Sequence, residues 1–204
     1  RKNVLQYDDV LNRQREIIYN QRDMVLNGED LREQIMTMMD ESVEKVVSRY
    51  LSKDIPRENW NLEGLKVYYM DWILTPEDLV STEEQPLQMT ANEIVEFIKN
   101  RCHETYMKHE EILGSSASRD LERAVLLTNV DEQWMDHIDA MEDLKRGINL
   151  RAYGQRDPVV EYRLEGFDMF DAMINSIREN TVKTLLSFKL NMQKFAPNIL
   201  RFPQ

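Results

Sequence analysis

Between residues 118 and 195 the apolar side chains fall into two stripes of helical period, separated by one basic turn. Leu127, Val130, Trp134, Ile138, Met141, Leu144 and Ile148 step by 3 or 4. After Asp157-Pro158, a cap and first-turn pair, the same stepping resumes through Val160, Leu164, Phe167, Phe170, Ile174, Ile177, Leu185, Phe188, Met192 and Phe195, with Thr181 filling the gap. Such steps return a side chain to one helix face, so each stripe predicts an amphipathic helix. Two of them joined by a short loop predict an antiparallel hairpin zipped along a seam. Taken as 118–147, the first arm spans ~45 Å at about 1.5 Å per residue.

The turn between the arms reads Lys145-Arg146-Gly147-Ile148-Asn149-Leu150-Arg151-Ala152-Tyr153-Gly154-Gln155-Arg156-Asp157, four basic residues against one acid in a chain whose net charge is −11. Gly147 and Gly154 permit backbone geometries that other residues resist, and Tyr153 belongs to neither stripe. The plain reading is a solubilising turn whose cations oppose the dipole at the first arm's C-terminus. The sharper reading is a contact tip, with Tyr153 as amphipathic surface and the arginines docking on acidic or polar groups.

Upstream, Val4, Leu11, Ile18 and Val25 lie seven apart, flanked by Val10, Ile17 and Met24, and predict one long helical stripe. Asn27-Gly28 is a helix stop, and Asp30-Leu31-Arg32-Glu33 has the form of a capping box that restarts a helix towards Leu51. Residues 52–118 differ in texture. Prolines at 56, 76 and 86, Gly64, Gly114 and the Ser115–Ser118 run mark loops. Thr75-Pro76-Glu77-Asp78 is ordered as a helix start, and Thr90-Ala91-Asn92-Glu93 is a capping box leading into Ile94, Phe97 and Ile98. This stretch is expected to be a small acidic helical subdomain inserted between two longer helical parts, in a chain that is all-α throughout.

Composition narrows the function classes. Overall acidity argues against nucleic acid, whose phosphates it would repel. The single cysteine, Cys102, cannot form an internal disulfide and suits a reducing compartment. The sequence opens at Arg1 already inside a helical pattern and reads as an excised segment. No phosphate-binding glycine loop of either common pattern occurs. His103 and His109 lie six residues apart, about 240° around a helix axis, on different faces, which disfavours a shared metal with Cys102. His137, between Asp136 and Asp139, is expected at the edge of a solvated face. Met36, Met38 and Met39 are expected to fill core, and Trp134 to anchor it.

Two stretches closely resemble SecA, the ATP-driven motor family of bacterial preprotein translocation. They are Arg1 to Arg22, RKNVLQYDDVLNRQREIIYNQR, and Val130 to Met173, with VDEQWMDHIDAMEDLKRGINLRAYGQRDP and EYRLEGFDMFDAM. The resemblance implies a long scaffold helix plus an antiparallel two-helix hairpin, with a small helical wing inserted. Residues 1–50 would be the first part of the scaffold, bracing both nucleotide-binding domains. Residues 51–117 would be the wing, and 118–204 the second part of the scaffold with the two-helix finger. The finger would insert towards the SecYEG channel, with Tyr153 at its tip contacting unfolded preprotein and Leu150, Arg151 and Arg156 beside it. ATP and Mg²⁺ would belong to the parent's motor domains, with no cofactor and no catalytic residue in this stretch. The location implied is cytoplasmic and peripheral, on the inner face of the bacterial membrane. The ending from Asn191 to Gln204 is unlike the family's charged linker.

Two rival readings remain from the residues alone. One is a free-standing helical adaptor using the hairpin as a partner-binding arm, distinguished by being monomeric where a motor segment would self-associate through the Val4–Val25 face. The other is an enzyme built around His137.

Overall fold

The computed structural model describes residues 2–28, 31–151 and 157–188. Among the described residues six α-helices follow one another: α1 Lys2–Asn27, α2 Leu31–Tyr50, α3 Leu62–Tyr69, α4 Ala91–Leu113, α5 Ser115–Arg151 and α6 Pro158–Leu186, with one 3-10 turn at Arg57–Asn59. The chain is all-α, and no strand occurs among the described residues; only an isolated bridge pairs Met70 with Leu74. The residues group into two compact units, one from Arg1–Leu31 with Arg123–Thr181, the other from Arg32–Glu122 with Val182–Gln204.

The first unit packs three helices. Arg22 on α1 pairs with Asp131 on α5, and the Lys145 ammonium sits over the Tyr7 ring, so α1 runs antiparallel to α5. Tyr7 meets Tyr162 edge-on with ring centroids 4.9 Å apart, and Gln14 bonds Gly166, so α1 runs parallel to α6. One part of the core joins Tyr7, Val10, Met141, Leu144, Ile148, Val159 and Tyr162 from all three helices.

Adding α1 changes the seam. Within this unit the buried positions of α5 are Leu126, Val130, Trp134, His137, Met141, Leu144 and Ile148; those of α6 begin Val159, Tyr162, Gly166, Met173 and Ile177. The expected second stripe is therefore displaced by about one residue, and its members Val160, Leu164 and Phe167 are 44%, 62% and 66% exposed. The physical reason is a close approach. A Cβ on Gly166 would stand 2.7 Å from the Met141 methyl, so the helices touch through a glycine, which hydrophobicity counting does not register. On α1, Val4 is likewise exposed and Gln14 takes an inward position.

Residues 1–50 form two helices with the break at the Asn27-Gly28 stop: α1 ends at Asn27, Gly28 lies outside helix, and α2 begins at Leu31. Asp30 of the proposed cap falls outside the described residues.

The second unit is built on α2, α3 and α4 with the start of α5 and the end of α6. Its core includes Ile35, Met39, Val43, Leu65, Ile94 and Ile98, while Met36 and Met38 are only half-buried. Helix α4 starts with the expected reciprocal cap: Glu93 N–H donates to Thr90 Oγ1 at 3.2 Å and Thr90 N–H to Glu93 Oε2 at 3.1 Å. Thr75–Asp78 begins no helix. Asp78 Oδ2 accepts from Thr75 N–H and Oγ1–H as a cap would, but Leu79 turns to φ +52° and is buried, ending the turn after one step. Nor do Ser115–Ser118 form a loop. They are the first turn of α5, because Gly114 at φ +81° makes the whole corner out of α4.

Candidate functional site

The expected contact tip begins on helix rather than on a loop. Helix α5 continues through Gly147 to Arg151, longer at both ends than the arm expected at 118–147, and α6 starts at Pro158. Tyr153, Gly154 and Arg156 lie outside the described residues. Leu150 is 81% exposed, the highest value among the large hydrophobic residues described.

The described cations of this stretch are already engaged within the chain. Arg151 forks onto Glu165 of α6, with Nη1–Oε1 at 2.9 Å and Nη2–Oε2 at 3.4 Å, and this carboxylate holds its guanidinium above the ordinary value. Arg146 pairs with Asp143 one turn earlier at 3.2 Å, and Lys145 lies 5.5 Å from the centre of the Tyr7 ring. Exposed pairs of this kind, screened by solvent, contribute little to stability. Beside these charges the described part of this end also offers apolar surface: Leu150 on α5, and Val160, Leu164 and Phe167 at helical spacing on α6.

Behind the tip lies a buried polar link that sequence reasoning missed. Gln14 Nε2 donates to the Gly166 carbonyl at 3.1 Å, which turns Gln14 Oε1 towards His137 Nε2, 2.7 Å away. That nitrogen must therefore carry the proton and donate. His137 is 4% exposed, so it does not sit at the edge of a solvated face, although Asp136 and Asp139 are exposed as expected. Burial lowers its pKa and keeps the imidazole neutral. The one available signal was positional: Gln14 falls seven residues after Tyr7, in the inward register of α1.

Trp134 is buried, its ring 5.5 Å from that of His137, and its indole N–H has no hydrogen-bond partner among the described residues. It lines an open groove of the first unit with Tyr19, Arg22, Asp23, Asp131 and Met135.

A second constellation, within the second unit, surrounds the first turns of α5. Arg119 donates to Glu122 from Nε (2.8 Å) and Nη2 (2.9 Å), and also to Glu110, both of whose oxygens accept from Arg32 Nε at 3.2 Å. The Tyr106 hydroxyl donates to Glu122 at 2.5 Å. Burial first, then the Glu122 bond, raises the Tyr106 pKa strongly. The Arg119 bond is the main influence holding Glu110 below the usual carboxylate range. Burial works against the Arg119 charge, but the bonds to Glu122 and Glu110 outweigh it.

The other titratable residues weighed for chemistry are dispersed. Cys102 is fully buried, its thiol pushed up to about 12 by burial. His103 Nε2 meets Asp40 at 2.7 Å, and His109 Nδ1 lies 3.2 Å from the Leu185 carbonyl. No cluster of three potential metal ligands occurs among the described residues, and none of the described helices is long and apolar enough to cross a membrane.

The family model for the SecA wing and scaffold domain matches residues 1–189. The chain is 42% identical over 193 residues to the protein translocase subunit SecA of Syntrophomonas wolfei, covering 95% of this chain and 23% of that relative. It is 45% identical over 198 residues to the SecA of Carboxydothermus hydrogenoformans, covering 95% and 22%, and 44% identical over 192 residues to that of Pelotomaculum thermopropionicum, covering 94% and 21%. The chain thus spans less than a quarter of the length of these relatives.

Proposed function

This chain belongs to the SecA family, as its wing and scaffold region, and from that premise we propose that it couples ATP hydrolysis in the family's nucleotide-binding domains to movement of unfolded preproteins through the SecYEG channel. In this reading residues 1–50 begin the scaffold, 51–117 form the wing and 118–204 complete the scaffold with the finger. The finger is α5 and α6; its tip, with Tyr153 flanked by Leu150, Arg151 and Arg156, meets the translocating chain or the channel. ATP and Mg²⁺ bind the motor domains, and the assembly works on the cytoplasmic face of the membrane.

The observation that carries this reading is mechanical. Helix α5 is 37 residues long, about 55 Å at 1.5 Å per residue. It is held against α6 by the Gly166–Met141 approach and by the cluster around Tyr162, and against α1 by Gln14, Tyr7 and Arg22. A force applied to α1 is thereby passed to the hairpin by packed side chains rather than by a loop. The paired cations around the described end favour an apolar contact surface over an electrostatic one.

The test is Tyr153→Ala in the full-length translocase, followed by preprotein translocation and basal ATP hydrolysis in parallel. Translocation is expected to fall far more than hydrolysis. Equal loss of both, or of neither, contradicts a tip that acts on substrate.

A further inference from the structure

Helix α1 meets the hairpin at levels that differ in kind. At Tyr7 the contact is a pair of rings set among apolar side chains, and at Arg22 it is an exposed ion pair with Asp131. Gln14, seven residues after the first and eight before the second, makes a buried and directional contact. It is 7% exposed and bonds α5 and α6 at once. On the coupling role proposed above, we infer that Gln14 is a positioning residue for that coupling, the pin that keeps α1 from sliding along the hairpin under load.

The group it engages on α5 is held from both hairpin helices. The His137 ring lies 5.5 Å from that of Trp134 on its own helix and 5.8 Å from that of Phe170 on α6, the latter edge-on. The imidazole is thereby fixed in orientation, with its Nε2–H directed at Gln14 Oε1. The other branch of the amide reaches Gly166. A Cβ there would stand 3.8 Å from Gln14 Nε2 and 2.7 Å from the Met141 methyl, so the three helices close on one another at this level.

The three kinds of contact resist sliding unequally. Apolar burial is non-directional, so a displaced side chain exchanges one apolar neighbour for another. An exposed pair of long side chains follows a displacement and is screened. A slip of one residue along a helix is about 1.5 Å, enough to break both bonds of Gln14. The His137 donor would then be buried with no acceptor, which is unfavourable. Movement of α1 is therefore handed to the hairpin most directly through Gln14.

The test uses the full-length translocase and reads preprotein translocated per ATP hydrolysed. Gln14→Met, of similar length and apolar, removes both bonds, and the ratio is expected to fall at least about fivefold. Gln14→Glu keeps an acceptor facing His137, and its ratio is expected to stay near that of the unaltered protein. A merely structural role gives the opposite order, because burying a carboxyl group is less favourable than burying a thioether. His137→Leu removes the same bond from its other end and should match Gln14→Met. Equal ratios in the Met and Glu variants, or a larger loss in the Glu variant, overturn the inference, as does failure of both bond-deleting variants to fold. Tyr153→Ala measured alongside keeps the two readings apart. A defect there with none in Gln14→Met removes the pin and leaves the coupling role standing, whereas no defect in either removes the coupling role itself.

Discussion

Gln14 and His137, separated by 123 positions in the sequence, meet side chain to side chain at 2.7 Å in the interior of the first unit. Because Gln14 also donates to the Gly166 carbonyl, one amide ties α1 to both hairpin helices. A buried polar link of this kind specifies register more sharply than apolar contact, since sliding any helix by one residue leaves donors and acceptors unmet. Gln14→Leu keeps the volume but orphans the His137 N–H, while the Gly166 carbonyl loses only its second hydrogen bond and stays bonded within α6. An orphaned buried donor costs about 1–3 kcal/mol. Urea denaturation should show a loss in that range or above; a change below about 0.5 kcal/mol would mean that the link does not hold the helices.

The same histidine makes stability depend on pH. Its folded pKa is depressed by burial, while the unfolded chain titrates near the ordinary value of about 6.5. Below that value the unfolded state binds the proton more readily, so the contribution is fully present above about pH 6.5 and is lost as pH falls through the window beneath it, with a slope of at most about 1.4 kcal/mol per pH unit. His137→Gln, which retains an N–H donor but no titration, should flatten the stability profile between about pH 6.5 and 5. Parallel profiles for the two proteins would show that His137 is not the group responsible.

Three glycines should respond to alanine in three ways. Gly114 has open space where a Cβ would go, but its φ of +81° with ψ 161° is backbone that only glycine adopts readily, so Gly114→Ala should destabilise by about 1–3 kcal/mol. Gly166→Ala drives a methyl into Met141 at 2.7 Å and should cost about 1–3 kcal/mol through overpacking. Gly147 lies inside α5, with only the Arg151 guanidinium near, at 3.9 Å. Gly147→Ala should therefore stabilise, by about 1 kcal/mol. Chemical denaturation of the three variants decides each sign separately.

Those glycines also mark where the sequence stops being readable. The existence of the two hairpin helices, the stop at Asn27 and the Thr90–Glu93 cap all follow from local chemistry, and all are present. The inward face of α6 does not follow, because it depends on a third helix arriving from more than a hundred residues away. Leu164 and Phe167 look like seam residues by hydrophobicity, yet Tyr162 and Gly166 take the seam because Tyr7 and Met141 are what they meet. Thr75–Asp78 has the chemistry of a helix start, and burial of Leu79 at positive φ overrides it. The end of α5 is legible as a basic stretch, but Glu165 and Tyr7, which meet Arg151 and Lys145, lie on other helices; only Asp143, paired with Arg146, is local.

The displaced seam is itself testable. Tyr162 is 3% exposed and in the core cluster, whereas Leu164, one step along the expected stripe, is 62% exposed. Truncating a buried aromatic costs about 3–5 kcal/mol, and truncating an exposed leucine stays within about 0.5 kcal/mol. Tyr162→Ala should therefore be much the more damaging in a denaturant titration. The reverse order would restore the two-helix seam.

The chemistry of the hairpin end can be separated from its stability for the same reason. Leu150 and Phe167 are exposed and Arg151 is paired only across the surface, so substitutions at all three should leave folding nearly unchanged. If the end grips its partner through apolar contact, Leu150→Ser in the full-length translocase loses a contact worth up to about 1.5–3 kcal/mol, enough to slow translocation roughly tenfold or more. Phe167→Ser extends the test along α6. Arg151→Gln gives up a screened ion pair and should change the rate by less than about fivefold. Measuring translocation at low and high salt sharpens the contrast, since an apolar contact survives salt and a charged one weakens. A translocation defect that follows Arg151 and the salt, and spares Leu150, would return the working surface to the cations.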